Sequence, residues 1–144
     1  MIEALLRRLA GEPTPLPPHD ARLALAALLV RVARTDGLYA AEEVERIDRV
    51  LTARYELSPF EAAALRADAE ALEQSAPDTV RFTRALKDAV PLEDRAALVQ
   101  ALWSVALVDG GRDPDEDALI RMVSNLLGLT DRDSALARQR AGRE

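Results

Sequence analysis

The chain has 144 residues, carries a formal net charge of −6, and is about half apolar with almost no aromatic residues. That length is one ordinary domain with enough apolar surface for a real core, built here from Leu, Val, Ile and Ala. The absence of cysteine excludes disulfides, thiolate metal sites and cysteine nucleophiles and suits a reducing cytoplasm, while scattered, outnumbered arginines argue against a nucleic-acid binder.

Helix signals recur along the chain and strand signals do not. Residues 2–10 read as a short amphipathic helix, available for packing or for a partner or membrane contact, with no signal-peptide order because Arg7 and Arg8 follow the apolar residues. Pro13, Pro15, Pro17 and Pro18 make residues 11–19 an extended connector. These elements divide the chain into a short N-terminal helix with its proline-rich connector over 1–19 and a helical domain over 20–144. Asp20 is placed to cap a second helix over Ala21–Asp36, stopped by Gly37. Its longest purely apolar run, Leu23 to Val30, is far too short for a bilayer span.

A third helix is expected over Ala41–Tyr55. Ser58, Pro59 and Glu61 then combine an N-cap, a proline at the first helical position and the acid of a capping box, so a fourth helix runs to about Gln74. Pro77 and Asp78 open a fifth, ending near Val90. Pro91 opens a sixth that reaches Asp109. Asp113, Pro114 and Glu116 repeat the cap, proline and acid order and start a seventh, ending at Gly128. Thr130 to Asp133 begins a last helix that frays from Arg138 onward. The expectation is therefore an all-α domain of seven to eight helices.

The chain also matches itself. At an offset of 73 residues, Leu29, Val32, Ala33, Asp36, Gly37, Glu43, Ile47 and Val50 fall on Leu102, Val105, Ala106, Asp109, Gly110, Glu116, Ile120 and Val123. Eight identities in twenty-two positions far exceed chance at ordinary usage, and Ser58 and Glu61 then fall near Thr130 and Asp133. An internally duplicated helix, Asp-Gly loop and helix is the expected unit.

Helical spacing says where the acids of that unit lie. Asp36 is four residues beyond Val32 on the stripe of Leu25, Leu28, Leu29, Val32 and Ala33, and Glu43 is four before Ile47. Asp109 and Glu116 occupy the same positions in the second copy, whose loop adds Asp113 where the first has Ala40. Two accounts of these carboxylates stand side by side. Acids in a first helical turn suit the macrodipole and backbone N–H groups, but Asp36 and Asp109 end their helices, where negative charge opposes the dipole. An oxygen-rich pair of loops also suits a hard divalent cation, Ca²⁺ or Mg²⁺, although the EF-hand spacing is missing. The candidate metal ligands are Asp36, Glu43, Asp109, Asp113 and Glu116, the second loop being the richer.

Catalytic patterns are missing. The one histidine, His19, sits in the proline-rich connector, away from any nucleophile–base–acid set. No Glu-x-x-His pair and no glycine-rich phosphate loop occurs. Trp103 falls on the counterpart of Val30 and reads as a packing residue.

The run from Ala101 to Gly110 (ALWSVALVDG), followed by Asp113, Glu116 and Leu119 to Arg121, and preceded by Phe82 to Arg84 and Arg95, resembles the tellurite-resistance TerB family. The resemblance covers about Leu23 to Arg138. The same Asp-Gly plus downstream Glu pattern is similar to the helical domain ahead of the J-domain in some membrane-anchored DnaJ-like co-chaperones; this chain has no His-Pro-Asp tripeptide and so no J-domain. The resemblance implies an all-α fold with pseudo-twofold organisation, a link to chemical-stress or metal-ion response, and acidic site positions at Asp36, Glu43, Asp109, Asp113 and Glu116. Ala40 departs from the acidic or hydroxyl residue often found there and weakens the first loop. The expected function is a non-enzymatic stress-response binding module, taking a divalent cation or, alternatively, a cation-independent scaffold that binds a protein partner, membrane-associated ones included, through its acidic end.

Overall fold

A computed structural model describes residues 18–75, 79–108, 110 and 113–143. Among them lie seven α-helices and no strand: α1 (Pro18–Arg34), α2 (Ala41–Tyr55), α3 (Pro59–Ser75), α4 (Thr79–Ala89), α5 (Arg95–Ala106), α6 (Pro114–Leu126) and α7 (Asp131–Ala141), with a short 3-10 turn at Leu92–Asp94 ahead of α5. The helix expected over residues 2–10, the start signals at Pro77 and Asp78, and the acid Asp109 lie outside the described residues.

Two helices form the centre. Every residue of the apolar run Leu23 to Val30 in α1 is buried, so α1 is covered on all sides instead of along one stripe. In α5, Leu98, Val99, Leu102, Trp103, Val105 and Ala106 are buried likewise. The two pack on each other. Around them α1 packs against α3 and α2, and α5 against α7 and α6, while α4 lies over α1 and α6. Trp103 is a packing residue with a satisfied polar edge: its Nε1 donates to Ser134 Oγ at 3.1 Å, as a buried indole requires. No described helix is long and apolar enough to cross a membrane.

The helix ends follow local chemistry with a few corrections. The α2 bounds are those expected, but α1 begins at Pro18, placing a proline in its first turn and Asp20 inside the helix, not at its cap. It also stops at Arg34, two residues before Asp36. Pro91 opens the 3-10 turn, so the α-helix proper starts only at Arg95. The last helix does not fray at Arg138: it continues to Ala141 because Ala137 and Ala141 are buried in the core. Ser58 Oγ accepts from Glu61 N at 3.1 Å while Glu61 Oε1 accepts from Ser58 N at 2.9 Å. Thr130 and Asp133 make the same reciprocal pair at 3.0 Å each way, and these donors hold both carboxyls below their ordinary range.

Candidate metal centre

The first loop is a tight turn closed by its own backbone. Gly37 N donates to Arg34 O at 2.9 Å, and Gly37 takes φ +82°, the left-handed conformation that glycine adopts without a Cβ penalty. Asp36 Oδ1 then accepts from Leu38 N at 2.9 Å, an Asx turn. Ala40 has no side-chain oxygen with which to cap α2, so only half of a capping box forms: Glu43 Oε1 accepts from Ala40 N at 3.0 Å. Glu43 is buried, at 2% exposure.

Behind this loop stands an ionic scaffold that short-range sequence signals mark at one pair alone. The Tyr39 hydroxyl donates to Glu70 Oε2. Burial first, and the Glu70 carboxylate second, push that phenol far above its ordinary range. Arg66 holds Asp48 at 2.6 Å and Glu70 at 3.1 Å, tying α2 to α3. Glu73 receives Arg31 at 3.2 Å and Arg34 at 2.8 Å, and Arg34 lies over the Tyr39 ring at 5.0 Å. The turn thus rests on α3. Only Arg66 and Glu70, spaced i,i+4, could have been paired from sequence.

The second loop is built from α5 and α6. Gly110, at φ +80°, closes it with N–H to Leu107 O at 3.0 Å. Asp113 is the N-cap of α6: Oδ1 accepts from Asp115 N at 2.7 Å and from Glu116 N at 3.3 Å, with Pro114 at the first helical position. Glu116, in the first turn, is 4% exposed.

The tertiary fold brings the two loops together. Asp36 from the first loop and Asp113 and Glu116 from the second each offer a carboxylate oxygen, and these oxygens all lie within 4.8 Å of one another. Glu43, on the other side of its turn, is not one of this trio, and Asp109 lies outside the described residues. Three of the five residues singled out from sequence therefore converge. At such a separation each pair repels by roughly 1–4 kcal/mol for an effective dielectric between about 80 and 20. The N-terminal end of α6 offsets part of this through its dipole.

An all-oxygen donor set fits a hard cation. Oxygens bound to a common Ca²⁺ at about 2.3–2.6 Å sit no more than about 5 Å apart, so the trio meets that ion's spacing as it stands. Asp36 and Asp113 each use Oδ1 on turn N–H groups, and a carboxylate's four lone-pair sites leave capacity for a cation beside such bonds.

A family model described as tellurite resistance protein TerB matches residues 22–139. The chain belongs to the TerB family. The match spans α1 through most of α7, so both loops and all members of the trio fall inside the TerB domain. Neither curated proteins nor solved structures yielded a match to this chain.

Proposed function

We propose that this TerB-family protein is a non-enzymatic stress-response module that takes up a divalent cation, Ca²⁺ before Mg²⁺, at Asp36, Asp113 and Glu116. One observation carries the reading: carboxylates from two loops far apart in sequence are packed within 4.8 Å of one another. Like charges held that close are eased by N–H donors and by cations alike; beside the turn N–H groups that Asp36 and Asp113 already accept from, the all-oxygen donor set favours a hard cation. Because the ligands come from both helix hairpins, a bound cation would clamp α1 to α6, which touch directly. Ion binding would be read out as rigidity at one end of the bundle. Thermal melts in chelator and in millimolar Ca²⁺, Mg²⁺, Mn²⁺ and Zn²⁺ test this: the expected result is a Ca²⁺-dependent rise in Tm that disappears in Asp36→Asn with Glu116→Gln. A Tm unmoved by every ion overturns it.

One further observation favours a second reading, in which the acidic end docks a protein. Leu38 is 76% exposed immediately beside Asp36, so an apolar knob stands next to the carboxylates. A partner with a basic surface around an apolar pocket would suit both, and its binding would weaken as salt rises. Leu38→Ala would reduce that binding and leave any ion-dependent melt unchanged.

A further inference from the structure

We infer that the groove between α2 and α5 is a docking site for an acidic amphipathic helix of a partner protein. The groove has a volume of about 630 Å³ and is lined by Arg46, Arg49, Val50, Ala53 and Arg54 of α2 and by Ala97, Gln100, Ala101 and Ser104 of α5. Its floor is apolar and of small side chains. Its α2 rim carries three arginines, and no acid lines it, in a chain whose net charge is −6. It is separate from the carboxylate trio, and the inference does not depend on ion binding there.

The fold itself contains a template for what this seam accepts. At the 73-residue offset α1 falls on α5 and α2 on α6, so the α2–α5 seam is the counterpart of the seam between α6 and α1. That second seam is covered by α4, which packs on both of its helices. α4 is an eleven-residue amphipathic helix that buries Thr79, Phe82, Thr83, Ala85 and Leu86. Among the described residues only α1 packs on both α2 and α5, and none of its residues lines the groove. The lining on α2 extends from Arg46 to Arg54, roughly 12 Å along the helix axis, a length matched by two to three turns of an incoming helix.

Charge selects the occupant. Arg49 reaches Glu45 at 3.5 Å, but both side chains are mostly exposed, and such a surface pair is readily exchanged. Arg54 lies over the Tyr55 ring at 5.7 Å and also engages its hydroxyl, a contact that uses only part of a guanidinium's five N–H donors. A helix with leucine-type residues at helical spacing, flanked by Glu or Asp on the side facing α2, would satisfy the floor and the rim together. The chain's own residues 2–10 have the apolar spacing but carry Arg7 and Arg8 against the single acid Glu3, the wrong balance for this rim.

The test uses the full chain and two fluorescein-labelled synthetic helices of about fourteen residues, roughly 21 Å long. Both carry leucines at i, i+3, i+4 and i+7; one is flanked by glutamates, the other by lysines. Fluorescence anisotropy should show the glutamate peptide binding at least about tenfold more tightly, with affinity falling as salt rises from about 50 to about 500 mM. Ala101→Trp, which fills the floor, should abolish binding while circular dichroism confirms the fold. Arg49→Glu with Arg54→Glu, both at exposed positions, should reverse the preference toward the lysine peptide. Equal binding of the two peptides, or of neither at submillimolar concentration, overturns the inference. So would nuclear Overhauser contacts in the unliganded chain between Leu5 or Leu6 methyls and those of Val50 or Ala101, which would assign the groove to the chain's own first segment.

Discussion

Replacing Asp36 by Asn isolates the charge of the carboxylate trio from its geometry. Asparagine retains a side-chain oxygen for the Leu38 N–H, so the Asx turn at 2.9 Å survives. What is lost is one of three negative charges within 4.8 Å of one another, and with it two of the three repulsive pairs. Asp36 and Asp113 are only half-buried, so the high-dielectric end of the range applies, about 1 kcal/mol per pair. Without ions, Asp36→Asn should stabilise the fold by roughly 1–2 kcal/mol. For a domain of this size that is a rise in Tm of about 3–6 °C. With Ca²⁺ at a hundredfold excess over Kd the parent protein should gain about 2.7 kcal/mol, near 8 °C, and the variant almost nothing. The two melting curves should therefore cross in order: variant above parent in chelator, parent above variant in Ca²⁺. Scanning calorimetry in matched ionic strength measures both. A variant that melts below the parent in chelator would show that Asp36 is held by compensating donors and not strained by its neighbours. Parent curves identical with and without each divalent ion would remove the cation from the account.

The helix caps give a second test. Asp113→Ala and Asp113→Asn remove the same charge from the trio, so the Ala variant should be about 1 kcal/mol less stable than the Asn variant because two first-turn N–H groups lose their acceptor; urea denaturation separates them. Ser58→Ala should cost a similar amount at the start of α3. Acid stability follows from the same boxes. The Glu61 and Asp133 carboxyls are lowered in the folded state from ordinary values of 4.5 and 3.8, so their contribution is complete above those values and is lost as pH falls through the folded pKa. A pH series of denaturation midpoints should show a shallower acid limb in Ser58→Ala than in the parent. Ser124 Oγ is buried with no hydrogen-bond partner, so Ser124→Ala should be neutral or stabilising by up to about 1 kcal/mol; a clear loss of stability would reveal a partner for that hydroxyl.

The amino-acid sequence by itself determined the local elements. Capping boxes at Ser58 and Thr130, prolines at first helical positions and glycines that accept positive φ are interactions among neighbours, so the α2 bounds and the starts of α3, α6 and α7 were legible within a residue. The two buried glutamates were also legible, because a residue four positions from an apolar stripe shares its face. What escaped was everything that depends on burial from several sides. The stripe read on α1 is a complete apolar sheath because α2, α3, α4, α5 and α6 all touch it. Packing on α5 keeps the end of α7 helical past the point where its charged residues suggested fraying. The site shows the same division. Sequence named five carboxylates, but only the crossing of α1 and α6 decided that Asp36 meets Asp113 and Glu116 while Glu43 turns to its own backbone. The Tyr39, Glu70, Arg66 and Asp48 chain that props the first loop joins α2 to α3 across a turn. Charges paired across helices leave no periodic trace in a sequence, since any exposed face supplies such residues and only the packing angle selects which of them touch.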